Sequence, residues 1–332
     1  REEERNRDQT DYETSINLGY QLENSMIQLS GLYGGNSPPQ DTDRIINDFS
    51  SGSVVTEIER EERDSERTNW EIGGDYEYGF ASGAKFRFLF IVNDRDFENT
   101  RERFEVLSDS ENKDLFLFNS GRDRERIARS SYTWDLAAKQ GIEIGVERAQ
   151  TIRDSDLALG LDIDGIPEPA FGNLVPVTIS NSGSTVEETR YENFVVHNWQ
   201  INDRMSLESS LIYETSTIEQ SGDVSNKRDF DFLRPKLDYR FDITQSFQLR
   251  AKIEKNVSQL SFSDFSASAD SSDDDLDTQA GNPEITQEQT WNYELNLEYR
   301  LPNSIGVLNS QIYYRDIEDV IDRVDVSPSP TD

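Results

Sequence analysis

The chain has 332 residues, 34% hydrophobic and 30% charged, and its 66 acidic and 33 basic side chains leave a net charge of −33. That is a polar composition for a soluble core of this size, yet 10% aromatic content separates it from disordered chains. The acidic balance excludes nucleic acid as a partner, because no basic patch could neutralise phosphates over such a background, and the absence of cysteine excludes disulfides and thiolate metal sites.

Taken in chain order, the opening Arg1-Glu2-Glu3-Glu4-Arg5 has no apolar core and is not a signal peptide. No stretch reaches the roughly 18 apolar residues of a membrane-spanning helix. What recurs instead is alternation of period two over about ten residues, the signature of a tilted membrane strand. Tyr12, Thr14, Ile16, Leu18 and Tyr20 alternate with Glu13, Ser15, Asn17 and Gly19. Trp70, Ile72, Gly74, Tyr76 and Tyr78 oppose Glu71, Asp75 and Glu77, and Phe86, Phe88 and Phe90 follow more weakly around Arg87. Ile142, Ile144 and Val146 oppose Glu143 and Glu147; the strand-like segment around Val195, His197 and Trp199 has no fixed parity. Met205, Leu207, Leu211 and Tyr213 alternate with Ser206, Glu208 and Glu214, and Phe247, Leu249, Ala251 and Ile253 with Gln248, Arg250, Lys252 and Glu254. The clearest case is last: Trp291, Tyr293, Leu295, Leu297 and Tyr299 against Asn292, Glu294, Asn296, Glu298 and Arg300.

The connections alternate as well. Short turns are expected near 21–25, 79–84, 138–141, 201–204, 242–246 and 302–304, with long polar stretches at 34–62, 92–124, 150–186, 216–230 and 256–288. Short on one rim and long on the other is the pattern of a transmembrane barrel with periplasmic turns and extracellular loops. The expected fold is therefore all-β, an antiparallel up-and-down transmembrane β-barrel of about twelve strands running through residues 1–332, with polar alternation carrying Glu57 to Asn69 and Arg122 to Ser131 beyond the membrane. A soluble two-sheet β domain could alternate similarly, but long connections on one side alone fit it poorly.

The C-terminal third carries Phe232-Leu-Arg-Pro-Lys-Leu-Asp-Tyr-Arg-Phe241, then Ala280-Gly-Asn-Pro-Glu-Ile285 with Glu288, then Trp291-Asn-Tyr-Glu-Leu-Asn-Leu-Glu298, and finally Ile312-Tyr-Tyr-Arg-Asp-Ile-Glu-Asp-Val-Ile321. These resemble the late barrel of TonB-dependent outer-membrane receptors, with Ile285 where leucine is usual and Asn296 where glycine is common. The resemblance implies a barrel of about 22 strands in the bacterial outer membrane, of which this chain would be the C-terminal part without the plug, the TonB box or the terminal aromatic strand. It also implies TonB-energised uptake of a scarce nutrient (siderophore, cobalamin, saccharide or similar), with the chain's own plug, the TonB complex and outer-membrane lipid as partners. An open sheet with two unpaired edges should not insert alone.

Inward-facing positions are expected at Glu208, Arg250, Lys252, Glu294, Glu298 and Arg300, where mixed charge signs suit a hydrogen-bonded polar plug better than a uniform ion filter. Neither a P-loop nor a Rossmann glycine pattern nor a zinc-type cluster occurs, so no cofactor is expected and no enzyme is read. The single histidine, His197, stands on a strand with nothing nearby to make a hydrolase site. Asp273, Asp275, Asp277 and Glu284 match part of a calcium-loop spacing, but Thr278 occupies the position that needs glycine, and a solvated loop is the simpler reading. A plug-less porin or adhesin is the alternative function, and the sequence upstream discriminates the two.

Overall fold

A computed structural model describes residues 1–48, 55–269, 278–279 and 281–322. Seventeen strands follow in order: β1 (Glu2–Arg7), β2 (Thr10–Gln21), β3 (Ser25–Ser37), β4 (Gln40–Asp48), β5 (Val55–Gly79), β6 (Lys85–Val106), β7 (Glu111–Ala137), β8 (Gln140–Leu161), β9 (Val175–Val177), β10 (Gly183–Asn202), β11 (Met205–Gly222), β12 (Asn226–Asp242), β13 (Phe247–Val257), β14 (Ser268–Ala269), β15 (Thr278–Gln279), β16 (Gln289–Arg300) and β17 (Val307–Glu318). Fifteen of them form one antiparallel sheet in the order β1-β4-β5-β6-β7-β8-β10-β11-β12-β13-β16-β17, with β2 and β3 beside β5 and β9 beside β8.

β1 and β2 are two halves of one wall strand, and so are β3 and β4, because β3 and β4 pair successive stretches of β5. The second break falls at Pro38-Pro39, where two residues without an N–H cannot continue a ladder. The wall is therefore twelve strands wide, and among the described residues its two edges do not pair with each other.

Cross-strand register sorts the side chains onto two faces. Ile312, Leu295, Ala251, Tyr239, Leu207 and Trp199 stand opposite one another in successive pairs. Further along, Tyr20, Ile27, Tyr76, Phe88, Ser130, Val146, Asn193, Tyr213 and Leu233 do the same. These rows make an apolar belt, and its large side chains are exposed, as at Ile16, Leu18, Tyr20, Ile72, Val146 and Leu233. Apolar surface so extensive is untenable in water and suits lipid. The belt also fixes His197, which points outward with Trp199 at 6.5 Å between ring centroids and Gln140 Oε1 3.1 Å from its Nε2.

Short connections occupy residues 22–24, 80–84, 138–139, 203–204, 243–246 and 301–306, all on one edge of the sheet. The other edge differs from expectation. In their described residues, polar stretches 34–62, 92–124 and 216–230 are largely strand, with tight turns at 107–110 and 223–225. β7, with 27 residues, is more than twice the roughly 9–11 a membrane crossing needs. These extensions hold because charge on both faces is paired across strands: Lys113 with Glu102 at 2.6 Å, Arg122 with Asp94 at 2.6 Å, Arg153 with Asp123 at 3.1 Å. Outside the ladders remain 162–174 and 178–182 and, among the described residues, 258–267 and 281–288.

Candidate functional site

The polar face of the wall carries all six inward candidates. Glu208, Asp238, Lys252 and Glu294 form one row across β11, β12, β13 and β16, and directly opposed residues of an antiparallel pair share a face. Lys236 Nζ donates to Glu208 at 2.8 Å, and Lys252 lies 2.7 Å from Glu254 and 3.3 Å from Glu294. Arg250 Nε donates to Asp238 Oδ1 at 2.8 Å, and Arg300 Nε to Glu298 Oε1 at 2.7 Å. The sheet thus brings the six together but closes each into an ion pair. Asp238, the one almost buried member of the row, and Lys236 were not singled out from sequence, although both stand on the polar side of the Leu237–Tyr239 alternation.

Farther from the short turns, Arg234 bridges Glu192 at 3.2 Å and Glu214, and Arg190 lies 3.5 Å from both Glu192 and Glu147. The Arg129 guanidinium sits 4.2 Å from the centre of the Phe194 ring. That ring covers Gly145 on the next strand, where a side chain would collide with it. The arrangement is a rigid, ion-paired surface on which a complementary polar partner can form hydrogen bonds without first ordering long side chains.

Beyond this level the same face turns apolar and is covered. Leu260, Phe262, Phe265 and Ile285, from the loop between β13 and β16, pack on Val186 and Ile218 of β10 and β11. Ala267 packs with Leu115, Leu117, Leu157 and Leu159 of β7 and β8. Wall side chains fasten the loop backbone: Gln220 Nε2 to the Phe265 carbonyl at 3.1 Å, Arg228 to that of Ile285 at 2.6 Å, Asn226 to that of Pro283 at 2.9 Å. The Gly281-Asn282-Pro283-Glu284-Ile285 stretch is the seam of this docking. Asn282 N–H donates to the Asp264 carbonyl at 2.8 Å, Asn282 Oδ1 accepts from the Glu284 N–H at 2.9 Å, and a Cβ on Gly281 would strike the Phe265 carbonyl. The loop therefore folds inward over the polar face. Of the calcium-spacing residues, Asp273, Asp275 and Asp277 lie outside the described residues, and Glu284 accepts a hydrogen bond from Asn226 at 3.3 Å. Among the described residues no group of three or more metal-ligating side chains comes together.

At the far end of the extensions, Glu61 accepts from Arg44 at 2.7 Å and from Arg101 at 2.9 Å, with Arg63 on its other oxygen. Burial pushes the Glu61 carboxyl up, but the Arg44 hydrogen bond and the Arg101 and Arg63 charges outweigh it and hold the group below the usual carboxylate range. Nearby, Arg103 pairs with Asp114 at 2.7 Å. None of this cluster was legible from sequence, because its members are drawn from β4, β5, β6 and β7.

The sequence matches the family described as TonB dependent receptor-like, beta-barrel over residues 4–332. No curated protein gives a match. Among solved structures the chain is similar to the alcaligin outer-membrane receptor FauA of Bordetella pertussis (11% identity, TM-score 0.50, 99% of this chain and 53% of that one). It is also similar to the ferric yersiniabactin uptake receptor FyuA of Yersinia pestis (11%, 0.51, 95% and 54%) and the ferric-catecholate import receptor Fiu of E. coli K12 (8%, 0.52, 97% and 59%). At such identities the likeness is one of fold, and the chain spans about half the length of these receptors. By the match along nearly its whole length, the chain belongs to the TonB-dependent receptor β-barrel family.

Proposed function

We propose that the chain is barrel wall and outer vestibule of a bacterial outer-membrane receptor that takes up a scarce nutrient with energy delivered through TonB. In this reading the short turns are periplasmic, the apolar belt meets lipid, and the polar face lines the lumen. The chain's own plug docks on the ion-paired rows around Asp238, Lys252 and Glu294, and the strand extensions with the inward loop frame the ligand's entrance. The observation that carries the reading is the two-faced wall: a continuous exposed apolar belt on one side, ion pairs and a docked loop on the other. A transporter wall needs both, since lipid rejects unpaired charge and a plug needs hydrogen-bonding partners.

FauA, FyuA and Fiu are receptors for alcaligin, ferric yersiniabactin and ferric catecholates, so iron chelates are the first ligands to test. The experiment is deletion of the full-length gene and growth on single nutrients supplied at limiting concentration, with ligand binding to the purified protein alongside. A nutrient-specific growth defect, reproduced by removing TonB, supports the reading. Growth indifferent to TonB on every nutrient contradicts it in favour of a passive pore or adhesin.

A further inference from the structure

We propose that Arg126 and Arg148 form an outward-facing site for the phosphate of a lipid headgroup in the outer leaflet, a proposal that rests on the membrane orientation given above. The chain has twice as many acidic as basic groups, and on the outward face Arg60, Arg122 and Arg124 are each tied to a carboxylate. Arg126 and Arg148, on the same face, are not. Among the described residues, Arg126 is exposed with no hydrogen bond, ion pair or ring contact, and Arg148 is exposed and reaches the Tyr191 hydroxyl alone, at 3.4 Å, lying 6.0 Å from that ring.

Register places them together on the apolar face. Arg126 stands opposite Gln150, and Arg148 opposite Ala128, so they are diagonal neighbours on β7 and β8, about 7–8 Å apart at their Cα atoms. Both lie at the edge of the belt that faces the long extensions. Arg148 is one outward position beyond Val146, while Arg126 faces Val92, which itself faces Ile72. Tyr191 opposes Arg148, and Thr189 opposes Gln150. The carboxylates around them are already held: Asp94 by Arg122 through both oxygens, Asp154 by Arg124, and Glu187 by Gln150 at 2.6 Å.

Two guanidiniums at the boundary between hydrocarbon and water, with apolar surface on one side and hydroxyls on the other, match an anionic headgroup whose acyl chains run down the belt. Arginine suits this role because its planar fork meets phosphate oxygens in pairs. A free anion would gain nothing from the adjacent belt, whereas a lipid gains from both. The occupant is therefore a phosphorylated lipid.

The test uses the full-length protein purified in detergent and titrated by native mass spectrometry with diphosphorylated lipid A and with its dephosphorylated form. The wild-type protein should prefer the phosphorylated form by about tenfold, and the R126Q/R148Q pair should lose that preference while R122Q keeps it. Equal wild-type binding of the two lipids overturns the site whatever the variants do, as does competition by inorganic phosphate at equal concentration. Orientation is read separately: Asp109→Cys, in the turn between β6 and β7, should react with a membrane-impermeant maleimide on intact cells. If it does not, the orientation has failed and the outer-leaflet assignment falls with it; if it does and phosphate is not preferred, the site alone is wrong.

Discussion

Arg101 and Glu61, forty residues apart on neighbouring strands, meet at 2.9 Å with neither side chain exposed. A pair so far from water is costly to break on one side, because the surviving charge stays buried. Glu61→Leu should therefore destabilise the ends of β4, β5 and β6 by about 3–5 kcal/mol locally, seen as faster hydrogen exchange there, with the belt region of the same strands unchanged. Exchange unaltered by the substitution would mean that the cluster contributes no order to the extensions.

The same carboxylate gives a pH dependence. Its folded value lies below the usual one, so its stabilisation is complete above the unfolded carboxylate pKa and is lost as pH falls through the lowered folded value. As pH falls below about 4.5, protection at the ends of β4–β6, taken relative to the intrinsic exchange rate, should fall in the wild type. In Glu61→Gln that protection should already be low and should not change with pH through this site. Parallel profiles for the two proteins would show that another group controls acid opening.

Gly281 makes a second local prediction. Gly281→Val places atoms against the Phe265 carbonyl and should free the inward loop at a cost of about 1–3 kcal/mol. Protease cleavage should then appear between 259 and 267, while the thermal transition of the barrel stays put. Loss of the whole barrel would instead make the loop part of the wall's own stability.

On the apolar face, Ile144→Arg should cost about 2–4 kcal/mol near the bilayer midplane and reduce the folded fraction in outer membranes, read as a gel shift between heated and unheated samples. Glu143→Gln, one residue away on the polar face, should assemble normally. Equal assembly of both variants would remove the distinction between the faces.

The wall was legible in the sequence wherever one face is apolar, because Trp291 to Arg300 alternates strictly in polarity and Tyr12 to Tyr20 does so apart from Thr14 and Gly19. The pattern failed where that contrast vanishes. Residues 57–69 still alternate enough to mark a strand running beyond the membrane, and the β5 ladder to β6 is unbroken from Glu59, but with charge on both sides the alternation does not say which side faces in. His197 had no parity because Val195 and Val196 are both apolar; the wall resolves it, since Phe194 and Val196 cover small or polar neighbours inside while Val195 joins the belt. Inward candidates such as Lys252 and Glu294 were readable one strand at a time, but their pairing was not. Arg44, Glu61 and Arg101 are brought together by register between three strands, which no local pattern encodes.

The most direct test of the two-faced wall uses the chain's lack of cysteine. Single cysteines at positions 249–254 and 292–297 of the full-length protein, with any cysteine outside this chain replaced by serine, are spin-labelled in reconstituted bilayers and report collision with lipid-soluble oxygen. The account predicts a period of two, with oxygen access high at 249, 251, 253, 293, 295 and 297 and low at the positions between. Uniform access, or high access at Arg250, Lys252 and Glu294, would contradict it.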